Sequence, residues 1–126
     1  MILLSEKKFV FLGFIDIAVF KVLIIYTRGG FMYPSIDGER LKGLIGTVNI
    51  IDIRDQGLYN MGNIPTSVNI SYNDLLYNTD RLLDKNKKYY IYCSFGFTSA
   101  KLCRYLNSLG YDVVNVVGGY NNYLNK

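Results

Sequence analysis

Beyond residue 33 of this 126-residue chain, short β-branched stretches alternate with stretches of helical periodicity, which predicts an α/β protein built on a parallel sheet. Two observations carry that assignment. The segments TVNIIDI (residues 47–53) and DVVNVV (112–117) are β-branched and mostly apolar, as strands buried on both faces of a sheet are. Between such strands lie helical patterns, the clearest being TSAKLCRYLNSL (98–109), with Leu102, Leu106 and Leu109 on one face. Half of the residues are apolar and 19% are charged, enough apolar material for one packed domain and not comfortably for two.

The elements follow in order. Ser35, then Glu39 and Arg40, with Leu41, Leu44 and Ile45 at helical spacing, suggest a short first helix. Residues 47–53 form the first strand. The stretch from Gly57 to Thr66 is turn-rich, and SVNI (67–70) is short enough to be a second strand. Asp74 to Leu83 carries Leu75, Leu76, Leu82 and Leu83 and reads as one helix. YYIY (89–92) is the next strand and runs straight into Cys93. The helix of residues 98–109 ends at Gly110, and residues 112–117 form the last strand, followed by Gly118, Gly119 and a short tail. No internal repeat or low-complexity linker interrupts this order.

Residues 1–31 have a different character. FVFLGFIDIAVFKVLIIY (9–26) is close to a bilayer span in length, with Lys7 and Lys8 ahead of it as an anchor's flank. Asp16 near its middle costs about 2.5–3.5 kcal/mol on insertion, and Lys21 adds to it, so the balance is marginal. No A-x-A-like cleavage site follows, so a removable signal peptide is not expected. A second explanation is that Arg28-Gly29-Gly30 translates a purine run of the kind found in bacterial ribosome-binding sites. In that case synthesis starts at Met32, and residues 32–126 are the functional domain.

The net charge of +4 is too mild and scattered for a nucleic-acid footprint. The chain has no histidine, which excludes Ser-His and Cys-His dyads, His-based zinc hydrolases and a histidine pH switch. Its two cysteines, Cys93 and Cys103, cannot complete a tetrahedral zinc site. They are expected to be reduced thiols in an intracellular compartment, the cytoplasm, or the cytoplasmic side of a membrane if residues 9–26 are an anchor. Cys103 shares a helix face with Leu106 and is expected in the core.

Cys93-Ser94-Phe95-Gly96-Phe97-Thr98-Ser99 joins a buried strand to a helix, where open α/β sheets bind their ligands. A loop curled ahead of a helix N-terminus turns its backbone N–H groups toward a common centre, and Gly96 permits the positive φ such a loop needs. A sulfur at that centre sits in partial positive charge, which activates cysteine without histidine.

These residues resemble a single-domain rhodanese, of the rhodanese-like sulfurtransferase family. The resemblance rests on four signals in order between Ile36 and Leu124: IDIRD (51–55), NIPTSVNI (63–70), YCSFGFTS (92–99) and VVGGYNNYL (116–124). It implies a doubly wound α/β domain with a parallel sheet of about five strands flanked by helices. It implies that Cys93 takes sulfane sulfur from a donor such as thiosulfate or a persulfide, and passes it to cyanide, a thiol or a partner protein. The backbone from Ser94 to Ser99 would hold the persulfide, with a hydroxyl from Thr98 or Ser99, and no metal or organic cofactor is required. Asp52 and Arg54 match the family's pair after the first core strand and are expected to form a structural ion pair. Gly118 and Gly119 match its glycine pair before the last helix and are expected to pack closely beside the loop.

The chain departs from the family in two places. Asn63-Ile64-Pro65-Thr66 stands where His-Ile-Pro-Gly is frequent, which changes a surface turn. The loop also lacks the Arg or Lys that many members carry, so weak use of thiosulfate and a less charged or protein-bound donor are expected. Phe95 and Phe97 would then form an apolar rim or pack inward. A cysteine phosphatase or arsenate reductase needs arginine at position 99, which is serine. A non-catalytic rhodanese-like module would bind a partner or sense redox state.

Overall fold

The computed structural model describes residues 33–125. The proposed anchor at 9–26 and the proposed start at Met32 lie outside the described residues. No described helix is long and apolar enough to cross a membrane.

Five strands form one sheet: β1 (Ser35–Asp37), β2 (Asn49–Asp52), β3 (Val68–Asn69), β4 (Lys88–Tyr92) and β5 (Asp112–Val117). Their order is β1-β5-β4-β2-β3, and every neighbouring pair is parallel. Among the described residues six helices connect or follow them: α1 (Gly38–Lys42), α2 (Gln56–Met61), α3 (Tyr72–Tyr77), α4 (Thr79–Leu82), α5 (Phe97–Ser108) and α6 (Gly119–Leu124).

The central strands read as almost continuous apolar runs because successive side chains enter different cores. Ile51, Ile91 and Val113 pack with Leu75, Leu102, Cys103 and Leu106 on one face of the sheet. Ile50, Tyr90, Tyr92, Val114 and Val116 pack with Leu41 and Ile64 on the other, and Tyr120 and Tyr123 of α6 lie against this second cluster. The sheet is therefore covered on both sides, a doubly wound domain as expected. From β2 the chain moves outward to β3, whereas from β4 it moves the opposite way to β5. The carboxyl ends of β2 and β4 thus flank the point where the winding reverses, the usual place for a ligand crevice.

Several elements differ from those expected. Ser35 begins strand β1 and not a helix: residues 35–37 pair with 115–117, and Pro34 O accepts from Asn115 N. The helix is capped by Asp37, whose carboxylate accepts from Arg40 N at 2.7 Å. β2 is shorter than its apolar run because Thr47 is held in a turn, its N–H and hydroxyl both donating to Leu44 O. The turn-rich stretch contains α2, a helix with no buried residue and hence no amphipathic signature. Tyr59 ties it down by donating its hydroxyl to Ser67 O at 2.6 Å. The single helix expected over 74–83 is two, broken at Asn78 (φ −129°, ψ 31°), with Thr79 Oγ1 donating to Leu75 O. The tail after Gly119 is helix α6, as the resemblance implied.

Candidate active site

Cys93 follows β4 directly; the residue is 7% exposed, and its thiol is the focus of converging donors. The Gly96 N–H reaches Sγ at 3.1 Å and the Ser99 N–H at 3.3 Å. Gly96 adopts φ +91° to make this curl. Ser99 Oγ lies 3.2 Å from the sulfur, whereas Thr98 lines the outer cleft, so Ser99 is the hydroxyl placed at the thiol.

Asn115 in β5 was not singled out from the sequence, yet it organises this loop. Its Nδ2 donates to Gly96 O at 3.3 Å, which turns its Oδ1 toward Ser99 to accept that hydroxyl at 2.5 Å. Ser99 then presents its oxygen to the thiol as an acceptor. A serine hydroxyl has one proton, so Ser99 donates to an ionised sulfur only by giving up its bond to Asn115 Oδ1. The signal for Asn115 was the single polar residue between valines in DVVNVV.

The loop's other side is sealed by the glycine pair. Cys93 O and Ser94 O accept from Tyr120 N and Asn121 N of α6 at 2.9 and 3.0 Å. A Cβ on Gly119 (φ +61°) would sit 2.7 Å from the Ser94 carbonyl and closer still to Cys93 O. A Cβ on Gly96 would meet Gly118 N at 2.6 Å. These neighbours are backbone atoms and cannot swing aside. Gly119→Ala is therefore expected to destabilise the domain by roughly 2–4 kcal/mol, from positive-φ strain plus overpacking, and to slow chemistry at Cys93. Urea unfolding checks the first effect, and an unchanged midpoint would contradict it.

Asp52 and Arg54 form a buried, bidentate pair with Nη2 to Oδ2 at 2.7 Å. Arg54 also donates to Gly62 O at 2.7 Å, and its guanidinium lies 4.3 Å from the Tyr120 ring centroid. Burial disfavours the Arg54 cation, but hydrogen bonding and charge attraction from Asp52 outweigh it and hold its pKa above the ordinary value. The pair ties the end of β2 to the turn after α2 and to α6, so its placement is that of a structural ion pair. Burial first, then the neighbouring Cys93, pushes the Cys103 thiol far up, and this second cysteine stays protonated in the core.

An open cleft of about 270 Å³ lies over Cys93, walled by Ile53, Arg54 and Asp55 after β2, Leu58 of α2, and the loop. Phe95 and Phe97 are 61% and 82% exposed, so they stand at its mouth and do not pack inward.

The family model described as Rhodanese-like domain matches residues 37–126. The chain belongs to the rhodanese-like family. The rhodanese-like chain is 37% identical over 70 residues to "Putative sulfurtransferase YtwF" of Bacillus subtilis, covering 56% of this chain and 67% of that one. A crystal structure from Staphylococcus saprophyticus shares 35% identity and a TM-score of 0.68, over 72% of this chain and 93% of its own. A rhodanese-related protein from Thermoplasma volcanium shares 30% identity and a TM-score of 0.69, over 74% and 92%. Within this rhodanese-like fold the departure at Thr66 has a physical cost: it takes φ +71°, the conformation that a glycine adopts freely.

Proposed function

We propose that this rhodanese-like domain is a sulfurtransferase that carries sulfane sulfur on Cys93. The observation that carries this reading is the convergence of the Gly96 and Ser99 N–H groups on Sγ, with Ser99 Oγ beside them. Such donors stabilise the nucleophilic thiolate and, after transfer, the charge on a persulfide. The thiolate attacks the outer sulfur of a donor; the new S–S bond forms as the bond to the donor's leaving group breaks, and that group departs with the electron pair. A thiophilic acceptor then attacks the outer sulfur and releases Cys93 as thiolate. Only sulfur moves, so no oxidant, metal or organic cofactor enters. The backbone from Ser94 to Ser99 forms the receiving wall. Both thiols are free, and the reaction belongs in a reducing compartment such as the cytoplasm.

The test is intact mass before and after incubation with thiosulfate or an organic persulfide, with and without cyanide, followed by peptide mapping. A gain of one sulfur atom on the Cys93 peptide that cyanide removes is the expected result. Failure of every donor to load Cys93 would overturn the reading. The exposed Phe95 and Phe97 favour the second reading, a partner-binding module, which predicts full cellular function for a Cys93→Ser variant.

A further inference from the structure

A donor that reaches Cys93 must pass through the cleft, and the character of its walls constrains which donors do so. Among the described residues that line it, Arg54 and Asp55 are charged. Arg54 is matched by Asp52 at 2.7 Å, with its Nε and Nη2 donors committed to Asp52 and Gly62 O. Asp55 is exposed and makes no capping bond, so its charge is left over on the rim. The remaining side chains on the wall are mainly apolar: Ile53, Leu58, Phe95 and Phe97. Phe97 opens α5 as an exposed apolar residue of the cleft, where a cation would serve an incoming dianion. Thiosulfate brings two negative charges and must release sulfite, also a dianion, past that acidic rim. A hydropersulfide R–S–SH brings at most one charge and releases a thiolate.

We infer that the cleft selects a small organic hydropersulfide with an uncharged, apolar R group as sulfur donor, and discriminates against thiosulfate. This rests on the sulfurtransferase reading above and specifies its substrate class. The volume of about 270 Å³ accommodates about nine water-sized groups, enough for the two sulfurs and a ring or short alkyl chain against Phe97 and Leu58. The step balances as Cys93–S⁻ plus R–S–SH giving Cys93–S–SH plus R–S⁻: one S–S bond forms and one breaks.

The experiment compares rates of Cys93 persulfide formation from benzyl hydropersulfide, 2-sulfonatoethyl hydropersulfide and thiosulfate. Each rate is divided by that donor's rate with free cysteine, which removes intrinsic reactivity. The expected order is benzyl above sulfonatoethyl by about tenfold, the scale of one charged contact, with thiosulfate slower still. Phe97→Arg, at an exposed position, is expected to raise the thiosulfate rate about tenfold and to lower the benzyl preference. Asp55→Asn is expected to raise it by roughly twofold to fivefold. Equal normalised rates for the two hydropersulfides, or thiosulfate matching benzyl hydropersulfide, overturn the donor class while leaving the sulfurtransferase reading intact. Loading by none of the three overturns both.

Discussion

Cys93→Ser is expected to reduce sulfur transfer by at least about a thousandfold while leaving the fold in place. Serine keeps the size and the hydrogen-bonding capacity of the side chain, so Gly96 N–H and Ser99 N–H retain an acceptor. What is lost is the sulfur: an alcohol oxygen is a poor nucleophile toward sulfane sulfur and holds no persulfide. Cys103 does not take over, because it is fully buried and its thiol is held protonated. Single-turnover loading followed by mass spectrometry measures the effect, with thermal unfolding as the check on folding. Transfer above about one percent of wild type would place the chemistry on another residue.

Asp52→Ala carries the largest expected loss of stability. Arg54 is only 8% exposed, so removing the carboxylate strands its guanidinium against Tyr120 without the Asp52 counter-charge. Breaking a buried pair from one side costs about 3–5 kcal/mol, which lowers the thermal midpoint by roughly 15 °C in a domain of this size. The double variant Asp52→Ala, Arg54→Leu is expected to recover part of that loss, because the stranded charge is gone. If the single variant unfolds within about 1 kcal/mol of wild type, the pair is not the tie described above. If the double variant is worse than the single one by the full cost of a second truncation, the stranded-charge explanation fails.

The central sheet was legible because β2, β4 and β5 are buried on both faces, and burial of that kind writes itself as Ile50-Ile51, Tyr90-Ile91-Tyr92 and Val113-Val114. β1 was not legible. Three residues at a sheet edge carry no periodicity, and pairing with residues 115–117 is a long-range property. Helix α2 was missed because it buries no residue, and with it Leu58 went unnoticed as a wall of the cleft. The cysteine loop was legible through local chemistry: a thiol at a strand end, a glycine three residues on and a helix thereafter. Asp52 is buried with Arg54, and Gly118 and Gly119 lie against the loop, at the positions their motifs mark in the sequence. Asn115 was not expected at the loop, because its contacts with Ser99 and Gly96 join segments separated by 16 and 19 residues.

The strand order also bears on when the domain is finished during synthesis. Among the described elements only α6 follows β5, yet β5 lies inside the sheet, between β1 and β4. Until it leaves the ribosome, β1 lacks its neighbour β5, and of the described sheet only the β4-β2-β3 fragment can form. Asn115, which fixes Ser99, and Tyr120 and Asn121, which bind the carbonyls of Cys93 and Ser94, emerge later than the cysteine itself. A nascent chain that has emerged only as far as about residue 110 would therefore present Cys93 on an incomplete scaffold, without the contacts that shape its loop. The loop around the thiol takes its shape only after residues 115–121 have emerged.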